Sequence, residues 1–501
     1  MDIAHLPLDR QGRLQDSVQA RSGRIFLALL AGYFLLQIVI RLSLSDSLDL
    51  DEAEQALVSQ RLQLGYGTQP PLYSWIQWVL FQVFGLNLFA LSALKNLLLF
   101  STYACMFFMA RPLVGQGAAI AASASLLLFP QIAWESQRDL THSVLMTGLA
   151  CATLWCYFAL LRRPVWGRYI LFGFLVGLGL QSKYNYAMFA AGLAAASLLV
   201  EEHRRLLWNR RMLAAAGIAL LCILPHGLWV LGHMDAAAGG TLDKMRDGAQ
   251  RAGYLSSVAT GLSSMLLAAL AFATPFWLVY GFLGWRGRGQ ERPERHPQAG
   301  FFLVLYAAFF LLMTLLVLSG EVGKIKDRWM QPLLFSLPLA CFMLWPALSR
   351  PQVLRRILQV TAGVAIIILL ALPGRVLLGP ALGKHVRAHH PYPELSAELD
   401  RRFPEARTLV AGERLTGGNL YFQQPARHTL LLKEALAARP VLHGDVLLVV
   451  RTGTETGWLE RFRQAYPDAA MQRQGRIALP YRYGSDETMS FDYALIRAGS
   501  L

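Results

Sequence analysis

Five acids fall within nine residues of this chain: Asp46, Asp49, Asp51, Glu52 and Glu54. A carboxylate at a membrane boundary suits general-base work, taking the proton of a hydroxyl within hydrogen-bond reach. The same acids also suit the first turn of a helix, where the backbone dipole favours negative charge. Behind them Ala53, Leu57 and Leu64 recur at roughly helical spacing. That spacing predicts an amphipathic helix starting near Asp51 and lying along a membrane surface. Gly65, Gly67, Pro70 and Pro71 then form a turn, and Tyr73, Trp75 and Trp78 suit an interfacial belt.

A second cluster, Glu135, Arg138, Asp139 and His142, spans eight residues. It reads as a solvated loop with a local ion pair, or as functional charge held close to hydrocarbon. Lys183 lies between two short apolar runs, in LQSKYNYA. It is placed to snorkel or to hold a phosphate as a compact cation. Lys324, Lys326 and Arg328 suit a bound anion such as a lipid phosphate, or contact with headgroups. His226 and His233, with Asp235, are the candidate ligands of a divalent metal, and satisfied or exposed histidines are the alternative. The loop after them carries Asp243, Lys244, Arg246, Asp247 and Arg251. Together these groups suit a reaction in which a carboxylate activates a hydroxyl while cations stabilise a departing phosphate.

Membrane elements must position them. The chain has 501 residues, 54% hydrophobic and 16% charged, with a net charge of +15; its mean hydropathy is +0.37. An average soluble protein is about 25% charged. A soluble multidomain chain, a disordered chain, collagen and a disulfide scaffold are thereby excluded. The fold class expected is an all-α polytopic membrane protein. Its spans are read near 25–42, 86–110, 113–133, 143–161, 169–182, 186–200, 213–232, 257–283, 300–319, 330–348 and 357–378, about eleven helices. The first apolar run reads as a retained anchor rather than a cleaved signal. The five cysteines all fall in apolar stretches without metal-ligand spacing.

Charge sets the expected orientation. Alternate loops, beginning with residues 1–24, hold nineteen basic residues and seven acids; the opposite loops hold ten and twelve. The positive-inside rule puts the first set in the cytoplasm. These arginines are scattered through short loops, so no nucleic-acid partner is expected. The loops carrying chemistry, about 43–85, 131–142, 233–256 and 319–329, then face outward from a transmembrane region at 25–379. Residues 380–501 read as a separate α/β domain on the same outer face. Short β-prone runs stand at 408–411, 428–432, 445–451 and 491–497, with a helical pattern at 458–466.

Several motifs resemble the GT-C membrane glycosyltransferases, in the polyprenyl-phosphate-sugar-dependent branch. That branch includes protein O-mannosyltransferases, lipid A aminoarabinose transferases and rhizobial lipid A galacturonosyltransferases. The motifs are the acidic pair Asp51-Glu52, the PPLY turn Pro70–Tyr73, Asp139, the run LGLQSKYNYA, and Pro225-His226 with Trp229 and His233. Arg328-Trp329 through Pro332 completes the set, which spans about 45–345. The resemblance implies Asp51 as catalytic base with Glu52 beside it, and Asp139 as the second acid of the cavity. Gln69, Tyr73, Arg138, Lys183, Lys324, Lys326 and Arg328 are expected on the substrate side. One departure is Thr68-Gln69-Pro70, where the aminoarabinose branch has Glu-Lys-Pro. Gln69 donates a hydrogen bond but carries no charge, so phosphate binding must lean on other cations.

The function expected is an inverting inner-membrane glycosyltransferase. It would move a sugar from an undecaprenyl-phosphate carrier to a lipid A, envelope glycan or protein acceptor at the periplasmic face, among membrane lipids. The alternative is a transporter or flippase of lipid-linked sugars, which would also account for the intramembrane cations Lys95 and Lys183. Against it, no inverted repeat or mid-span acid–base relay is evident.

Overall fold

The computed structural model describes residues 8–235, 237, 253–286, 295–484 and 486–498, with side chains from residue 20 onward except at 286 and 498. The charges at 243–251, Arg288 and Arg292 lie outside the described residues. Among those described, seven helices are long and apolar enough to cross a membrane: Ala20–Leu44, Leu88–Val114, Thr141–Arg162, Arg210–Gly232, Tyr254–Trp285, Ala299–Leu318 and Pro351–Leu377. An eighth is reached if Gln116–Leu128 and Gln131–Arg138, bent by 76°, form one span. All eleven apolar runs are helical, but Trp166–Ser182, Tyr186–Leu199 and Gln331–Leu344 fall short of that length. Proline explains two of the interruptions. Pro130 sits at the bend, and Pro332 and Pro338 stand at the starts of the two pieces of Gln331–Leu344, where a missing N–H is tolerated.

The described chain divides into two units. The larger comprises residues 1–36, 63–73 and 95–368; the smaller comprises 37–62, 74–94 and 369–501. This division departs from a boundary at 380, because the acidic segment belongs with the C-terminal residues.

Within the larger unit, helices Trp166–Ser182 and Arg210–Gly232 meet through small residues. A Cβ on Gly173 would stand 2.2 Å from the Ala215 carbonyl oxygen, and one on Gly177 would stand 2.6 Å from Cys222 Cβ. Gly173 and Gly177 thus form a GxxxG face against Ala215 and Ala219, letting two backbones approach where no hydrophobic force drives association. Elsewhere in the unit, Phe129 stacks on Phe272 and Phe276, with centroids 4.8 and 5.2 Å apart.

The smaller unit is built on a five-stranded sheet: β1 (Thr408–Ala411), β2 (His428–Leu431), β3 (Gly444–Arg451), β4 (Ala470–Pro480) and β5 (Thr488–Ala498). The strand order is β2-β1-β3-β5-β4. The first three strands are parallel, and β5 runs antiparallel to both of its neighbours. Strand alternation divides the core. Leu409, Ala411, Leu447, Val449, Phe491 and Tyr493 pack with Tyr392, Leu395 and Leu399 of helix Tyr392–Arg402. Val410, Val446, Leu448, Ala494 and Ile496 face Leu432, Ala435 and Phe462 on the other side. The four sequence-predicted strands and the 458–466 helix are present. Strand β4 is an addition: its burial alternates poorly, and its MQRQGR run reads as polar loop.

Helix α1 (Leu8–Leu44) ends where the 43–85 segment begins, and helix α2 (Leu50–Val58) follows. Helix α2 and helix Leu72–Phe84, through Phe81, join this sheet's core. Ala53, Ala56 and Leu57 are buried in the same cluster as Leu409 and Val449. The amphipathic helix expected on a membrane surface is therefore docked on protein, within the smaller unit.

Candidate functional site

Asp51 occupies the first turn of α2, half-buried. The turn is fixed from several directions. Asp49 is the N-cap, with extended backbone at φ −72° and ψ 169°. Glu52, 2% exposed, accepts from the Asp49 N–H at 3.0 Å, the reciprocal bond of a capping box. It also pairs with Arg41, whose Nη2 and Nε lie 2.6 and 3.2 Å away. Arg41 also donates to the carbonyls of Ser45 and Ser47, at 2.7 and 3.0 Å. Glu52, read from sequence as a partner of the catalytic base, is thus engaged in holding the helix start. A buried carboxylate needs such a cationic partner.

Helix Arg414–Gln423 supports α2 along its length. A Cβ on Gly418 would lie 2.0 Å from the Ala53 carbonyl oxygen, so only glycine permits this approach. The Asn419 side chain accepts from the Leu48 N–H at 2.7 Å and donates to the Leu48 carbonyl at 3.3 Å. Arg414 pairs with Glu54 at 2.6 Å. Gln60, just past α2, exchanges both amide groups with the backbone of Thr429 on edge strand β2, at 2.9 and 3.0 Å. Arg41, Gly418, Asn419 and Gln60 were not singled out from sequence. Their partners lie far along the chain, except for Arg41, whose signal is a cation closing a span just before an acidic run.

The larger unit gathers a second group. Asp139 ends the turn Ser136–Arg138, and its N–H bonds the Glu135 carbonyl at 2.8 Å. The next residue, Leu140, has φ +71°, a left-handed conformation unusual for leucine. Such strain clusters at sites where geometry is imposed by the surroundings. Arg138 pairs with Glu135 at 3.0 Å, and its buried Nε has no hydrogen-bond partner. Gln131 donates to Asp327 at 2.5 Å, and Gln331 donates to the Gln131 carbonyl at 3.2 Å. These bonds bring the 131–139 segment to the turn carrying Arg328, whose Nε is likewise buried without a hydrogen-bond partner.

Lys183 donates to Ser143 Oγ at 2.6 Å. Tyr73, 1% exposed, sets its ring 5.5 Å from His142, which in turn contacts the Ser182 carbonyl at 3.4 Å. Tyr73, the Asp139 segment, Lys183 and the Arg328 turn are thereby linked. Asn185 was not noticed in sequence, yet both of its side-chain amide atoms are buried without partners. Lys95, 3% exposed, donates to the Gln137 carbonyl at 3.2 Å. Gln69 is half-buried. Lys324 is exposed and Lys326 half-buried, flanking buried Ile325 just ahead of the turn that carries Arg328.

The histidines adopt an arrangement other than a metal pair. His226 contacts the Leu64 carbonyl at 2.8 Å and the Tyr184 hydroxyl at 3.1 Å, occupying both ring nitrogens. Trp229 lies between the two imidazoles, stacked 5.8 Å from His226 and 4.7 Å from His233. Among the described residues, no three His, Cys, Asp or Glu side chains group as metal ligands. The expected His226–His233 metal site is therefore not formed, because an indole separates its ligands.

A family model for dolichyl-phosphate-mannose-protein mannosyltransferase matches residues 68–229. The lipopolysaccharide core galacturonosyltransferase RgtB of Rhizobium johnstonii is 36% identical over 490 residues, covering 94% of this chain and 97% of that protein. RgtA of the same organism, with the same description, is 32% identical, covering 94% and 96%. Among solved structures, ArnT from Cupriavidus metallidurans bound to undecaprenyl phosphate superposes with a TM-score of 0.60 at 13% identity. That match covers 95% of this chain and 98% of ArnT, and it shows a shared fold.

Proposed function

The chain belongs to the family of the lipopolysaccharide core galacturonosyltransferases and is a multi-pass membrane glycosyltransferase; from that premise we propose that it transfers a uronic acid residue from a polyprenyl-phosphate carrier to a lipopolysaccharide acceptor. The observation that carries this reading is the 36% identity to RgtB over nearly the full length of both chains, together with Asp51 held in the first turn of a capped helix. Membership in an enzyme family sets transfer above the transport alternative.

In the proposed mechanism Asp51 accepts the proton of the acceptor hydroxyl as that oxygen attacks the anomeric carbon. The bond from that carbon to the carrier phosphate breaks in the same displacement, with inversion. Lys183 and Arg328 stabilise the charge that grows on the leaving phosphate. Lys324 and Lys326, on the same run as Arg328, attract the anionic headgroup before reaction. Asp139 orients the sugar, and Arg138, Gln69 and Tyr73 line the substrate side. Lysine presents a compact charge to phosphate, and arginine a planar fork. The reaction would take place at the periplasmic face of the inner membrane, with the N-terminus cytoplasmic and the α/β domain periplasmic.

The test is transfer in membranes carrying Asp51→Asn, read by mass spectrometry of the lipopolysaccharide core. The wild type adds one hexuronic acid residue and releases polyprenyl phosphate. The variant should insert normally and add none. Undiminished transfer by the variant would remove Asp51 from the role of base.

A further inference from the structure

The sheet of the smaller unit has a feature that the transfer reading leaves unused. From β1 the chain passes through helix Arg414–Gln423 to β2 on one side, then through helix Leu432–Ala438 to β3 on the other. The connection reverses direction between β1 and β3, which pair side by side through Ala411 and Val449. In open parallel sheets, ligands bind outside the carboxyl ends of the strands at such a point. Here those ends are Ala411-Gly412 and Arg451-Thr452.

The side chains at this edge are unusual. Arg451 is half-buried, and among the described residues its guanidinium makes no hydrogen bond or ion pair. Thr452 Oγ1 is buried without a partner. His390 is 8% exposed, and its Nδ1 is also buried without a partner. Arg451 and His390 are neighbours: burial first, then the charges of Arg451, Arg387, His389 and His385, together lower His390 to about 4. Acids are present as well, but they are engaged. Asp49 meets Arg387 at 3.5 Å, Glu487 meets His385 at 3.1 Å, and Glu394 meets Arg482 at 3.5 Å. Glu413 accepts from the Thr416 hydroxyl at 3.3 Å.

We propose that Arg451, Thr452 and His390 form a site for an anionic group, carboxylate or phosphate, on the acceptor glycolipid. An unpaired guanidinium offers a planar fork to either oxyanion, and a hydroxyl and an imidazole add donors. The choice of acceptor over donor follows from the chemistry of displacement. The carrier phosphate leaves from the face of the sugar opposite the attacking hydroxyl, whereas the acceptor must reach the base. This edge belongs to the base's own unit, and Arg387 ties it to Asp49, two residues before Asp51. An anion held here would orient the acceptor's hydroxyl toward α2. The site rests on the transfer reading only for the identity of its ligand.

The test is direct binding of labelled lipopolysaccharide core glycolipid to the full-length protein in detergent, alongside transfer. Three glycolipids serve as probes: native, methyl-esterified at its carboxylates, and dephosphorylated. Arg451→Gln should weaken native binding about tenfold to a hundredfold, the worth of a charge-assisted bond. Arg451→Lys should recover most of that loss. One of the two modified glycolipids should bind wild type as weakly as the native one binds Arg451→Gln, and should lose nothing further with the variant. The ester names carboxylate as the bound group, and the dephosphorylated probe names phosphate. The base assignment is read by transfer in Asp51→Asn and this site by binding to Arg451→Gln, so a failure of the base assignment would leave this binding result standing. Native binding unchanged by Arg451→Gln, or weakened equally for all three glycolipids, would overturn the site.

Discussion

The two regions that carry the candidate chemistry are held in opposite ways. In the smaller unit, the α2 start is tied down by a capping box, a buried Arg41–Glu52 pair, the Asn419 amide and a glycine contact at Gly418. In the larger unit, Arg138, Arg328 and Asn185 each keep buried polar atoms without hydrogen-bond partners, beside a left-handed Leu140. Buried polar atoms are costly unless something bonds them. The first region is organised to hold one carboxylate in a fixed place. The second has hydrogen-bonding capacity in reserve, as expected where a substrate with several oxygens is received.

This contrast can be broken by substitution. The largest effect is expected for Arg41→Met, which leaves the Glu52 carboxylate buried without its cation. Removing one partner of a buried pair costs about 3–5 kcal/mol. Transfer should fall below detection, and proteolysis between α1 and α2 should accelerate. Asn419→Leu should follow, leaving the Leu48 N–H and carbonyl unpaired at about 1–3 kcal/mol. Its signature is a reduced kcat with the donor KM unchanged. If the contrast is wrong, both variants will behave as ordinary surface changes.

The larger unit should respond in a different parameter. Asn185→Leu removes reserve capacity without breaking any bond within the protein, so stability should hold or rise slightly. The donor or acceptor KM should increase roughly tenfold, the worth of one lost hydrogen bond to a charged group. Equal KM values for variant and wild type would show that Asn185 meets no substrate.

The smallest effect concerns pH. Burial lowers His203 to about 4 from 6.5, and burial with neighbouring cations lowers His390 to about 4. Both groups fold neutral, while the unfolded chain takes up protons below about 6.5. Their contribution to stability is therefore complete above pH 6.5 and is lost as pH falls towards 4. Melting temperature should drop across that window, and His203→Gln should flatten the decline. His203 bonds Tyr157 at 2.8 Å and stacks on Phe301 at 4.1 Å, so the variant will start from a lower plateau.

Much of the membrane region was legible because its signal is local. Each apolar run reports its own helix, and the short Gly-rich run at 169–182 is a helix from Trp166 to Ser182. The β-prone runs of the C-terminal residues were legible for the same reason. The union of residues 37–62 with that domain was not. It depends on pairs such as Leu48–Asn419 and Gln60–Thr429, some 370 residues apart in sequence, whose members look ordinary in their own surroundings. The role of Glu52 was hidden likewise, since an acid at the third position of a helix is as suited to capping as to catalysis. The histidine pair misled for a geometric reason. Positions 226, 229 and 233 share one helix face, so the tryptophan between them fills the space a metal would need.

That the α/β core positions the helix carrying Asp51, the proposed base, is tested most directly by turnover in Gly418→Val, measured in full-length protein at saturating donor and acceptor. Its branched side chain would drive into the backbone of Ala53. Transfer should fall at least about a hundredfold, in keeping with a misplacement near 1 Å, while donor binding and membrane insertion are retained. Turnover within about twofold of wild type would contradict a helix positioned by this contact.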